Sequence, residues 1–425
     1  MDAFLAVAIF VVAYVFLVAD KVHRTKVALV GAGAVLLLHV SNAEHAFFDE
    51  ESGIEWNVIF LLLGMMVIVS VLRQTGIFEY IAIWSAKRSR GRPYALMVML
   101  CVLTALASAV LDNVTTILLI APVTFLVCER LGLNPVPFLI AEVLASNIGG
   151  AATLVGDPPN IIIAARADLT FNDFLINMAP WVAVLMVVFL LMCRVLFRSA
   201  FTFDPGRVES VMSLDEREAI KDKALLVKSG IVLAAVVAAF VLHPVLHYEP
   251  SVVALLGAGI LVMVTKIPVT EALSEVEWPT LVFFAGLFIM VGGLVQSGVI
   301  EDLSTRLAEA TDGRLGLAAM TLLGASAGLS AIVDNIPYVA TMSPVVAGLV
   351  PTMPGNSEAL WWSLAFGADL GGNATAIGAS ANVVMLGLAE RAGHRIGFWE
   401  FTKYGLIVTA VTVSLTVPYI AWRYL

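Results

Sequence analysis

Charge is scarce in this sequence. Of its 425 residues only 13% are Asp, Glu, Lys or Arg, about half the share of an ordinary soluble domain. A soluble chain of this length must cover its surface with polar groups, and this one has too few. That excludes a globular cytosolic enzyme and a disordered protein. Positive charge is the scarcer sign: 24 Lys and Arg stand against 33 Asp and Glu, a net charge of −9, which argues against a nucleic-acid partner. Cysteine is nearly missing. Cys101, Cys128 and Cys193 are odd in number and fit no ligand spacing, so they read as buried thiols. The sequence offers no Cys/His dyad, no metal cluster and no phosphate-cradling loop. An enzyme and a bound cofactor are therefore not expected, and ATP coupling would need a separate ATPase subunit.

What fills the chain is aliphatic. Hydrophobic residues make up 60% and aromatic ones only 9%, with a mean hydropathy of +0.95. A helix needs about 20 apolar residues to cross a bilayer. Candidate spans lie at 3–20, 27–41, 57–73, 178–197, 226–243, 252–266, 279–296 and 403–422. Residues 1–20 lack a basic n-region and a small-residue cleavage site, so they read as a retained span. Regions 94–127, 136–165, 316–350 and 358–389 are apolar but broken by Gly, Pro, Asn and Asp. The polar segment 198–224, with Asp204-Pro205-Gly206, reads as a linker with room for an interfacial helix.

Basic residues gather on cytoplasmic loops. With the N-terminus outside, and 94–127 and 316–350 taken as hairpins that return to their side of entry, all but Arg166, Arg306, Arg314 and Arg423 of the 24 basic residues fall inside. These include Arg24, Arg207 and Lys403. Glu44, Asp49, Glu50, Glu51 and Glu55 cluster in the first outer loop. Both termini are expected to be external, in a multi-pass protein of the cell (inner) membrane.

The two halves match at a constant offset of 222. Glu55-Trp56 pairs with Glu277-Trp278, Gly64 with Gly286, Asp112-Asn113 with Asp334-Asn335, Gly149-Gly150 with Gly371-Gly372, Thr153 with Thr375 and Asn160 with Asn382. No gap is needed from 55 to 160. Each half makes five crossings plus one hairpin, and an odd count inverts the second half. The expected fold is an all-α polytopic membrane protein of two inverted repeats, each with five transmembrane helices (one broken) and a re-entrant hairpin. The first repeat is 1–197, the linker 198–224 and the second repeat 225–425. Inverted repeats mark secondary transporters, whose sites lie where broken helices meet at the midplane.

The polar residues inside the apolar regions supply the candidate site. The hairpin tips hold Asp112, Asn113 and Thr115, and then Asp334 and Asn335. An Asp at a span centre costs roughly 3 kcal/mol on insertion scales. A helix N-cap would account for one Asp-Asn pair; a symmetric pair fits a shared central site better. The broken spans hold Asn147, Gly149, Gly150, Thr153, Asp157 and Asn160, and then Asp369, Gly371, Gly372, Asn373, Thr375, Ser380 and Asn382. Gly-Gly and Pro-Pro so close together imply unwound stretches at 148–158 and 370–380. Their freed backbone groups cannot be satisfied by lipid. The carboxylates Asp112, Asp334, Asp157, Asp369 and Glu142, without Lys or Arg partners in the apolar regions, suit proton or cation coupling, with Asp112 and Asp334 foremost.

These motifs resemble the ion transporter superfamily that contains arsenite permeases, NhaD-type sodium/proton antiporters, citrate transporters and divalent-anion symporters. The resemblance rests on Leu111 to Thr116, Asn147 to Asn160, Asp334 to Pro337 and Gly371 to Asn382, and is nearest to the arsenite-permease-like branch that includes the melanosomal P protein. It implies a dimerising scaffold, a transport domain formed by 94–165 and 316–389, and elevator-type alternating access. In the dicarboxylate branch the tips carry Ser-Asn-Thr and help bind sodium. Here they read Asp112-Asn113-Val114 and Asp334-Asn335-Ile336, where a carboxylate can take a proton instead. The expected function is a proton-coupled secondary transporter of arsenite or another small anion or neutral hydroxide. A Na⁺/H⁺ antiporter and an anion channel are the alternatives. The expected partners are a small ion, the lipid bilayer and a second copy of the chain, with H⁺ or Na⁺ as coupling ion.

Overall fold

The computed structural model describes residues 2–19, 21–49, 51–202, 206, 212, 213 and 215–425. Glu50, Asp204, Pro205 and Arg207 of the expected loops lie outside the described residues. Every regular element among the described residues is helical. The straight spans form as expected, as Asp2–Ala19, Arg24–Leu37, Trp56–Gln74, Ala179–Leu196, Lys223–Val241, Pro250–Val264, Trp278–Gln296 and Phe398–Tyr424. Among the described residues, six helices are long and apolar enough to cross a membrane, and several shorter apolar helices accompany them. In the linker, 216–219 forms a short 3₁₀ turn.

The offset of 222 is written into the helix boundaries. Trp56–Gln74 and Trp278–Gln296, Ile77–Arg88 and Val299–Ala310, and Pro93–Ser108 and Leu315–Ser330 begin and end in register. Asn113–Leu131 and Asn335–Leu349, Val136–Gly150 and Glu358–Gly371, and Pro158–Ala167 and Ser380–Arg391 begin in register. Helices 77–88 and 299–310 were hidden from a search for apolar spans, because polar residues line much of each.

Packing is reciprocal between the halves. Helix 24–37 lies on 278–296, and 250–264 lies on 56–74. Both crossings are close because a glycine faces an alanine. A Cβ on Gly64 would stand 2.6 Å from the Ala254 backbone, and one on Gly286 would stand 2.9 Å from that of Ala28. Small residues at such crossings let helices associate through dispersion where lipid supplies no hydrophobic drive.

A second group is built from the hairpins and broken spans. Helix 93–108 packs on 136–150, and 315–330 on 358–371. The pairing then crosses over: 335–349 packs on 158–167, and 380–391 on 113–131. Helices 179–196 and 398–424 also lie against this group, on 136–150 and 358–371 respectively. Helices 77–88 and 299–310 join it to the first group by packing on 113–131 and 335–349.

Candidate functional site

The broken spans stop at Gly150 and Gly371 and resume at Pro158 and Ser380. The unwound stretches are thus 151–157 and 372–379, inside the expected limits. Proline suits the restart, since the first helical positions need no N–H donor. Side chains take up much of the freed backbone. Thr153 Oγ1 donates to the Ala109 carbonyl at 2.6 Å, and Thr375 Oγ1 to Ala331 at 2.5 Å. Each threonine ties an unwound stretch to the hairpin turn of its own half. Asn160 Nδ2 donates to the Thr153 carbonyl at 3.0 Å, and Asn382 Nδ2 to Thr375 at 2.9 Å and Gly372 at 2.8 Å. Gly149 and Gly371 press on the backbones of Ala105 and Ala327, where no side chain fits. Gly150 and Gly372 face the carbonyls of Gly156 and Gly378.

The two hairpin tips converge on one carboxylate, Asp157, which is buried. Asn113 Nδ2 donates to its Oδ2 at 2.8 Å, and Asn335 Nδ2 reaches its two oxygens at 3.3 and 3.4 Å. One asparagine comes from each half. Ser108 bonds Asn113 and also Ser146, the latter at 3.0 Å. Beside this cluster Asn147 Nδ2 donates to Asn373 Oδ1 at 2.9 Å and Asn382 Oδ1 at 3.0 Å. Asp369 is fully buried as well, and neither of its oxygens has a hydrogen-bond partner. Glu142 accepts from Thr124 Oγ1 at 2.6 Å, and its other oxygen has no partner. Its neighbours are Cys101 and Cys128 rather than the hairpin tips.

Asp112 and Asp334 occupy other places. Both cap the helices that follow them. Asp112 Oδ1 accepts from the Thr115 N–H at 2.9 Å, and Asp334 Oδ1 from the Ile336 N–H at 3.1 Å. Both are partly exposed. Each caps a helix start, and the carboxylate that both tips reach is Asp157. Asp334 also has a basic partner, which corrects the expectation that the apolar regions hold none. Arg24 Nη1 lies 3.7 Å from Asp334 Oδ2 and bonds Ser380, whose hydroxyl donates to the same carboxylate. Its Nη2 donates to Thr280 at 3.3 Å, and its guanidinium stacks on Phe283 at 5.5 Å. Arg24, His23, Phe283, Asp334 and Ser380 line a cavity of about 240 Å³. Sequence reasoning placed Arg24 in a loop. The available signal was the shortness of segment 27–41: helix 24–37 has 14 residues, about 21 Å long against a hydrocarbon core of about 30 Å, so its flanking basic residues are drawn inward.

The model of a citrate transporter family, CitMHS, matches residues 14–367. An uncharacterized transporter of Mycobacterium tuberculosis (strain ATCC 25618 / H37Rv) is 58% identical over 99% of this chain and 98% of its own. The P protein of Homo sapiens is 33% identical over 98% of this chain, which spans 59% of that longer protein. Among solved structures, the Alcanivorax borkumensis YdaH transporter, described as having an unusual topology, aligns with a TM-score of 0.64 at 17% identity. That alignment covers 94% of this chain and 99% of the other, and it speaks to the fold alone.

Proposed function

Since the chain belongs to the CitMHS citrate transporter family, we propose that this membrane transporter is a proton-coupled secondary carrier of a small anion or neutral hydroxide, working by an elevator motion. One observation carries the reading: asparagines from both hairpin tips grip one buried carboxylate, Asp157. An ionised Asp157 accepts from both tips. A protonated one loses acceptor capacity and gains a donor, so a proton at this atom changes how the tips are held. The helices that begin at Asn113 and Asn335 also aim their positive dipole ends at the cluster, which favours an anionic or electron-rich ligand. Arg24 at the adjoining cavity adds a basic group for an anion.

The elevator reading follows from the two packed groups. The hairpins and broken spans, with 179–196 and 398–424, form the moving body; the crossings of 24–37 on 278–296 and 250–264 on 56–74 form the scaffold. Arg24 to Asp334 is a contact between them. A symmetric dimer would hold the scaffold still. Purified protein in proteoliposomes, offered arsenite, citrate, Na⁺ and chloride under an imposed pH gradient, tests the reading. Saturable uptake of arsenite or an anion that collapses with the gradient is the expected result. Gradient-driven Na⁺ flux alone would make it an antiporter, and a non-saturating current a channel.

A further inference from the structure

Asn147 and Asp369 occupy the same position in the two halves, 222 residues apart. So do Asn382 and Asn160. On one side the pair is joined, although Asn147 Oδ1 has no partner. Asn382 donates its amide to the carbonyls of Thr375 and Gly372, which leaves its Oδ1 to accept from Asn147 Nδ2 at 3.0 Å. The other side has the same frame. Asn160 donates its amide to the Thr153 carbonyl at 3.0 Å, yet its Oδ1 has no partner. Asp369, which stands where Asn147 stands in the twin, has the Asn160 amide beside it, but no hydrogen bond closes between them. It brings two oxygens, and neither has a partner. Turning the Asn160 amide over would not help, because its oxygen would then face the Thr153 carbonyl. Buried acceptors left without a donor are rare and costly.

One hydrogen would complete the twin. We propose that Asp369 is a carboxylic acid in this state, that its O–H donates to Asn160 Oδ1, and that it carries the coupling proton. The carrier role rests on the proposed proton-coupled transport; the protonation does not. The carboxylate acting on Asp369 across space is Asp157. On the other elements packed on helix 358–371 several polar groups are engaged, while Glu142 Oε2, Asn147 Oδ1 and Thr402 Oγ1 have no partner. Ser330 and Thr409 donate to the carbonyls of Ala368 and Leu370, Tyr338 bonds Ser326, and Glu142 on helix 136–150 bonds Thr124. Releasing the proton to water would leave a carboxylate against Asn160 Oδ1 and near Asp157. That conflict would loosen helix 358–371 from helix 158–167.

Infrared difference spectra of the full chain in lipid at neutral pH give the test. Wild type minus Asp369→Asn should show a carboxylic-acid C=O band that shifts in D₂O. Absence of that band overturns the proposal, and so does its loss on adding Na⁺ at constant pH, which would make Asp369 a sodium ligand. Asp369→Asn rebuilds the Asn–Asn pair of the twin, so it should fold with an unchanged melting temperature and lose uptake driven by a pH gradient. Full retention of that uptake overturns the carrier role. Should Asp369→Asn fail to fold, alkaline titration of the band in wild type against Asn160→Leu decides instead, and a band indifferent to Asn160 overturns the pairing. A wild type with no pH-driven transport would sink the proposed function and leave the infrared result standing.

Discussion

Asp157 is where the halves share a single side chain, so its replacement is the sharpest residue-level test. In Asp157→Asn one acceptor oxygen becomes an NH₂ group. The oxygen kept at the Oδ2 place still accepts from Asn113 and Asn335, but the new NH₂ at the Oδ1 place faces the Asn335 amide and finds no acceptor. A buried donor left unpaired costs about 1–3 kcal/mol. The variant should melt earlier by that amount and transport at background level; normal uptake by a folded Asp157→Asn protein would remove this carboxylate from the mechanism. Arg24 calls for a different readout. Its ion pair with Asp334 is partly exposed, with side-chain accessibilities of 31% and 23%. Such a pair contributes at most about 1 kcal/mol, so Arg24→Ala should fold normally. The expected change is a raised KM for an anionic substrate at unchanged kcat. Arg24→Lys should not restore it, since an ammonium cannot reach Ser380 and Thr280 at once and stack on Phe283 as the guanidinium does. An unchanged KM would leave Arg24 a structural contact only.

At the scale of elements, the reciprocal crossings set the geometry of the proposed scaffold. Gly64→Leu would drive a side chain into the Ala254 backbone, and Gly286→Leu into Ala28. Both should lose folded yield in detergent, judged by size-exclusion profile, while Gly324→Leu, with open space around it, should not. Unequal outcomes for the two would mean that the crossings do not carry equal weight. Spans, breaks and the repeat register were legible because hydropathy and the Gly, Pro and Asn punctuation are written directly in the residues. The site was half legible, for a physical reason. Matching the halves drew attention to residues that repeat, above all Asp112 and Asp334, which turn out to cap helices. Caps repeat because every hairpin needs a second helix start. The buried carboxylates sit where the repeat is broken: Asp157 stands opposite Ala379, and Asp369 opposite Asn147. Arg24 was hidden because its neighbours in space, Asp334 and Ser380, are more than 300 residues away in sequence.

At the scale of the whole molecule, the proposed inversion of the halves is the premise with the most consequences, and terminal labelling alone cannot test it. Two halves with equal numbers of crossings put both termini on one side whether the repeats are parallel or inverted. The linker decides. An odd number per half places it opposite the termini, and an even number places it on their side. Cys101, Cys128 and Cys193 are all 0% exposed, so the wild type should give no background with a membrane-impermeant thiol reagent. Single cysteines at Ala3, Lys223 and Leu425, all exposed positions, then report the two ends and the linker. Ala3→Cys and Leu425→Cys are expected to label from outside intact cells, and Lys223→Cys only after the membrane is opened. Labelling of all three from one side would make the repeats parallel. The asparagines that meet on Asp157 would then enter from the same face, and alternating access by exchange of two inverted halves would have no structural basis.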